Sequence, residues 1–232
     1  TGVIPRDLSE LTHNTIIFLR EFRLHGNIPA KIGSLRNLTH LYLGNNELSG
    51  CIPPEVGKLN NLKLLDLNHN RLTGNIPVEL SRLSNLTELW LDHNLLTGNI
   101  PPELAALTKL KNLYVNNNLL CGEIPKSLGK IKTLTVLKVN NNRLSGKIPS
   151  NFERLPRLVY MNFSSNLLKG SIPKGLFKKV AKVDISNNLF KNPRRKTYPE
   201  HWNVENAFYS KNNGPLLPSR KTKSMVFLSG AF

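Results

Sequence analysis

Residues 89–112 read LWLDHNLLTGNIPPELAALTKLKN. An L-x-L-x-x-N run comes first, a Gly-x-Ile-Pro turn follows, and a leucine-spaced segment closes the unit. The same order recurs on both sides. The Ile-Pro pair stands at Ile4-Pro5, Ile28-Pro29, Ile52-Pro53, Ile76-Pro77, Ile100-Pro101, Ile124-Pro125, Ile148-Pro149 and Ile172-Pro173, a step of 24 residues each time. A fixed period of this kind marks a solenoid, in which each unit buries its apolar face only against its neighbours.

Each recurring slot has a physical job. In Leu41/Leu43, Leu65/Leu67, Leu89/Leu91, Leu113/Val115, Leu137/Val139, Met161/Phe163 and Val183/Ile185, apolar residues alternate with variable ones. That is the two-residue period of a strand with one face inside. Stacked units place these strands in a parallel sheet, about 4.8 Å apart. The amide that follows, at Asn46, Asn70, Asn94, Asn118, Asn142, Asn166 and Asn188, is expected to turn inward and satisfy backbone groups stranded by the bend. Gly98 and its equivalents permit backbone angles that other residues resist. The proline then fixes the start of the return segment. Stretches such as Glu55 to Leu62 and Glu79 to Leu86 are predicted to form short helical or 3-10 turns on the far side.

These motifs resemble the leucine-rich repeat family, and the Leu-x-Gly-x-Ile-Pro signature resembles its plant-type subclass. The resemblance implies an α/β repeat solenoid, right-handed and curved. A parallel sheet would line the concave face, with short turns on the convex side. It covers residues 1–192, about seven full repeats starting mid-repeat, and implies no particular ligand. The first full repeat is degraded, with Asn14 in a leucine slot and Phe22 in the asparagine slot. The expectation is a lost upstream segment or a covering molecule, because a bare end exposes strand edge and apolar side chains. Residues 193–232 read as a basic C-terminal cap and extended arm. Tyr198, Trp202, Phe208 and Tyr209 are placed to cap the last repeat, and the arm beyond is expected to order on a partner.

The net charge is +17, unevenly spread. Residues 1–116 hold 11 Lys/Arg against 10 Asp/Glu, a net of +1, and residues 117–232 hold 21 against 5, a net of +16. One-sided charge attracts polyanions. Candidate polyanion contacts are Lys174, Lys178, Lys179, Arg194, Arg195, Lys196, Arg220, Lys221 and Lys223. RNA in an organellar ribosome or an acidic protein assembly would suit them. Aromatic residues are sparse among these charges, which disfavours stacking on single strands. Cys51 and Cys121 fall in non-equivalent slots nearly three repeats apart, too far for a disulfide, so two free thiols are expected. Plant-type repeat proteins that are secreted carry paired-cysteine caps, and none is visible. The first expectation is therefore an intracellular, organellar protein, and the second a secreted or cell-surface one.

The variable strand positions supply the candidate binding face. Aromatic residues gather there at Tyr42, Trp90, Tyr114 and Tyr160, with Asp66, Glu88, Asp92, His93 and Lys138 among them. Exposed aromatics on a rigid sheet are protein-contact anchors, and Trp90 with Tyr114 is the central pair. Asp66, Glu88, Asp92, His69 and His93 occupy neighbouring cells of this grid. An open sheet face does little to exclude water or shift a pKa, so the reading is non-catalytic. Two stacked histidines make a weak metal signal, and no cofactor is expected. The first functional reading is a protein-binding scaffold whose basic half docks on a polyanion. The alternative is the extracellular ligand-binding region of a plant-type receptor, or a secreted inhibitor, that binds peptide or polysaccharide. Asn-x-Ser/Thr triplets stand at Asn37, Asn85 and Asn162.

Overall fold

The computed structural model describes residues 2–5, 7, 11–176, 180–191, 202–205, 207–210 and 214–215, with the backbone alone at 208–210 and 214–215. Nine short parallel strands form one continuous sheet: Ile16–Phe18, His40–Tyr42, Leu64–Asp66, Glu88–Trp90, Asn112–Tyr114, Val136–Lys138, Tyr160–Asn162, Lys182–Asp184 and Trp202–Asn203. Each pairs in register with the next, as in Leu65 with Leu89 and Leu89 with Leu113. The middle residue of each strand points inward. Leu41, Leu65, Leu89, Leu113, Leu137 and Met161 are wholly buried.

The return segments form five-residue 3-10 turns, among them Pro54–Lys58, Val78–Arg82 and Pro102–Ala106. Leu80, Leu83 and Leu86 recur every third residue, and all three are buried. A helix of three residues per turn lines such a row up on one side, which favours 3-10 over α geometry here. Stacking is close. A Cβ at Gly57 would run into the Glu79 carbonyl oxygen of the next unit.

A second ladder lies on the flank, where the sequence reading placed only a turn. Gly2–Val3, Leu24–Asn27, Glu47–Cys51 and Arg71–Thr73 pair side by side. It thins to single bridges at Asn75 with Thr97 and Glu123 with Ser145. It resumes with Lys169–Gly170, Leu189–Lys191 and Phe208–Ser210. The bend between the two ladders falls at His93, at φ 56°, and Gly98, at φ 70°, follows the flank bridge at Thr97.

The asparagine slot knits the units together. Asn94 Nδ2 donates to the Leu67 carbonyl one unit back at 2.9 Å and to the Leu91 carbonyl of its own bend at 3.2 Å. Its Oδ1 accepts from the Leu72 N–H at 3.0 Å. Asn46, Asn70, Asn118, Asn142, Asn166 and Asn188 repeat the pattern.

The ladders do not stop at residue 192, where the Gly-x-Ile-Pro turn is lost. Trp202 and Asn203 pair with Val183 and Asp184, and Phe208 pairs with Phe190. Trp202 is buried against the last repeat. Tyr198 lies outside the described residues. Cys51 and Cys121 are free and exposed. Among the described residues, no helix is long and apolar enough to cross a membrane.

Candidate functional site

The strand face is built from the first and third residue of each three-residue strand, which flank a buried apolar residue. The third residues run Phe18, Tyr42, Asp66, Trp90, Tyr114, Lys138, Asn162 and Asp184. The first residues run Ile16, His40, Leu64, Glu88, Asn112, Val136, Tyr160 and Lys182.

A ribbon of interacting side chains crosses the middle of this face. Trp90 and Tyr114 stack with centroids 6.0 Å apart and planes 11° from parallel. The Lys138 ammonium sits over the Tyr114 ring at 4.6 Å and near the Tyr160 ring at 5.8 Å. The Lys182 ammonium lies 5.6 Å from the centroid of the same Tyr160 ring. Each contact of this kind contributes about 0.5–1 kcal/mol at a partly exposed site. Their larger effect is to hold long side chains in one arrangement. Glu88 braces the ribbon from below. Its carboxylate accepts from Trp90 Nε1 at 3.2 Å and from Asn112 Nδ2 at 2.8 Å. Burial pushes the Tyr114 and Tyr160 hydroxyls above the usual phenol range, so both stay protonated donors at neutral pH. A smaller aromatic group, Phe18 against Tyr42 at 5.1 Å, stands at the N-terminal edge.

Asp66 departs from the sequence reading. It was expected to face a partner, but it is wholly buried. Its Oδ2 accepts from Arg20 Nη1 at 2.8 Å, and its Oδ1 accepts from the Asn68 N–H at 3.1 Å. Burial raises its pKa, and the Asn68 amide and Arg20 charge pull against that shift. The carboxylate ties the degraded first repeat to the third and is closed to a ligand. The reason is local: Gly44, between them, leaves room for the Asp66 carboxylate and the Asn68 amide, which a Cβ would meet.

Asp92 is buried as well, and burial pushes its pKa up. It too was expected to face a partner, and it lies in a column with Gly44, Asn68, Asn116, Asn140, Ser164 and Ser186. Most of that column turns in. Asn68, Asp92, Asn116 and Asn140 each keep one buried oxygen without a hydrogen-bond partner in the protein. The next column was read only for its two stacked histidines, and its backbone was not. Asn45, His69, His93, Asn117, Asn141, Ser165 and Asn187 all have positive φ. The signal available was the enrichment in Asn at those positions, since Asn tolerates that region better than most side chains. There His69 and His93 stack at 4.0 Å, and His93 Nε2 lies 2.9 Å from Asn117 Nδ2. Among the described residues no group of three or more His, Cys, Asp or Glu is placed to hold a metal ion.

The acid and base side chains therefore do not converge on one reacting position. Asp66 is occupied by Arg20, Glu88 by Trp90 and Asn112, and the ribbon presents aromatic faces and amines. Of the candidate polyanion contacts, Lys174 is exposed on the return side. Lys178, Lys179, Arg194, Arg195, Lys196, Arg220, Lys221 and Lys223 lie outside the described residues.

Family patterns described as leucine rich repeat match residues 36–96, 109–131 and 133–155. The chain is a leucine-rich repeat protein. Among curated proteins none matches it. Among solved structures this leucine-rich repeat chain is similar to the ectodomain of the Arabidopsis receptor kinase HAESA, in complex with an N-terminally extended form of the peptide hormone IDA. That match has a TM-score of 0.75 and 33% identity, over 82% of this chain and 32% of that one. It is also similar to a plant ice-binding protein, with a TM-score of 0.68 and 36% identity over 72% of this chain and 54% of that one. A leucine-rich repeat protein of Leptospira interrogans matches with a TM-score of 0.69 and 28% identity, over 90% of this chain and 52% of that one. The chain thus spans 32% of the HAESA chain and 52–54% of the other two. The solenoid's similarity is to the plant-type repeats.

Proposed function

We propose that this solenoid is the ligand-binding region of an extracellular, receptor-type leucine-rich repeat protein, and that it holds an extended peptide along its strand face. The observation that carries this reading is the ribbon from Trp90 through Tyr114, Lys138 and Tyr160 to Lys182. It is braced by its own contacts, partly exposed and long enough to run under several residues of an extended chain, which advances about 3.3 Å per residue. Such a surface offers ring faces to apolar or aliphatic side chains and ammonium groups to carbonyls and carboxylates. Peptide hormones occupy the HAESA structure and a second receptor of the same kind, which supports the same use here. Docking of the basic half on RNA has only charge behind it, and the neighbours named above are not RNA complexes. The compartment follows the neighbours too, toward the cell surface.

The test begins with selection of binders from a displayed random-peptide library on the intact chain. Selected peptides are then titrated against Trp90→Ala and Tyr114→Ala. Each substitution is expected to weaken binding about tenfold or more, the scale of an aromatic anchor. Peptides that bind both variants as well as the parent would place the ligand elsewhere.

A further inference from the structure

The fold sets the three Asn-x-Ser/Thr triplets in two different environments. Asn37 and Asn85 share one column, two repeats apart, just before strands His40–Tyr42 and Glu88–Trp90. Their side chains stand outside the strand face. Asn37 Nδ2 donates to the Thr12 carbonyl at 2.9 Å, and Asn85 Nδ2 donates to the Asn60 carbonyl at 2.9 Å. Asn85 Oδ1 accepts from Lys109 Nζ at 2.7 Å. A primary amide has two N–H groups, so each Nδ2 keeps one beyond its ladder bond. Asn37 is exposed and Asn85 partly so.

Asn162 is different. It is the third residue of strand Tyr160–Asn162, in register with Lys138 and Asp184 on either side. Its Oδ1 accepts from the Ser164 N–H at 2.9 Å and the Ser164 hydroxyl at 2.7 Å. Its Nδ2 points at the Tyr160 hydroxyl, 3.4 Å away. A sugar there would stand on the strand face beside the ribbon and displace that contact.

We propose that Asn37 and Asn85 are N-glycosylation acceptors and that Asn162 is not. The proposal rests on the extracellular reading above. The donor class is a lipid diphosphate-linked oligosaccharide. Nδ2 forms a bond to C1 of the reducing sugar, and the C1–O bond to the diphosphate breaks. The lipid diphosphate leaves with that electron pair, and Nδ2 gives up one proton to a base. The remaining Nδ2 hydrogen still serves the Thr12 or Asn60 carbonyl, so the modified chain keeps its ladder. Asn61 marks the chemical limit. It makes the same bond, to the Arg36 carbonyl, but Lys63 stands where Thr39 and Thr87 supply the hydroxyl that an acceptor triplet needs. The two sugars would sit about 10 Å apart, at about 4.8 Å per repeat, in the half of the chain that is nearly neutral.

The experiment sends the full chain through the secretory pathway of a eukaryotic host behind an added signal sequence. Secreted and cell-retained pools are treated with a glycan-releasing amidase in heavy-oxygen water, and occupancy is read by peptide mass spectrometry. Asn37 and Asn85 are expected to carry the tag and Asn162 to remain unmodified. Asn37→Gln and Asn85→Gln should each remove the mass of one glycan. Untagged Asn37 or Asn85, or a tagged Asn162 in chain with the parent circular dichroism spectrum, would overturn the proposal. Because the route is imposed, this outcome is independent of the peptide titration. Loss of one leaves the other readable.

Discussion

His93 shows how much one side chain on this face depends on its neighbours. Its ring lies on the His69 ring, its Nε2 faces the Asn117 amide, and the Asp92 carboxylate is 4.0 Å away. Lys138 also acts on it. Burial first, and then the His69 charge, pull its pKa below the usual imidazole value, while Asp92 pulls the other way. The unfolded chain therefore binds more protons than the folded one as the pH falls past about 6.5, and His93 removes stability there. The thermal midpoint of the parent should fall more steeply between neutral and mildly acid pH than that of His93→Gln, which cannot charge. Parallel curves for the two proteins would show that Asn117 rotates and accommodates the charged ring. Asp66 teaches the complementary lesson: a carboxylate in a variable slot was read as a contact, and it is a strut.

The asparagine bend is the smallest element that works as a unit. Asn94 serves the Leu67, Leu91 and Asp92 carbonyls and the Leu72 N–H with one side chain. Removing it strands buried backbone groups in two successive repeats, and each such group costs about 1–3 kcal/mol. Asn94→Ala is expected to destabilise the chain by about 3 kcal/mol or more in urea unfolding. A loss below about 1 kcal/mol would mean that water enters the bend and replaces the amide. The neighbouring strand needs no such partner, because its own ladder satisfies it on both sides. This is why one polar residue type recurs here while the slots beside it vary freely.

At the level of the whole molecule, each repeat meets only the repeat before and after it. Stability is then close to a sum of unit and interface terms, and the ends open first. The N-terminal end exposes Ile16, Phe18 and Phe22, whereas the other end is covered by Trp202. Hydrogen exchange should be slowest at Leu89, Leu113 and Leu137 and should rise toward Ile17 faster than toward Val183. Leu113→Ala, in the centre, is expected to cost about 2–5 kcal/mol, the usual range for a buried leucine. It should also separate the unfolding of the two halves. One sharp transition at the parent's cooperativity would show that the coupling extends beyond nearest neighbours.

The 24-residue beat carried most of the architecture, because every apolar slot, amide bend and proline is a local requirement repeated in place. Leu89 and Leu91 could face only inward, Asn94 had only one environment that would satisfy it, and Gly98 held a slot whose φ is positive. Trp90 and Tyr114 were legible as a pair for the same reason: strands one period apart must lie side by side. Other features depended on distances between units that no single repeat records. Gly44 makes space in one unit for a carboxylate from the next, so Asp66 is buried. Asn68 and Asp92 turn in because the bend acquires positive φ at the residue after each. Trp202 joins the sheet although its segment has lost the motif, because an unpaired strand edge and an apolar end will take any strand that can cover them. Periodicity decides what recurs, and packing between unlike units decides the exceptions.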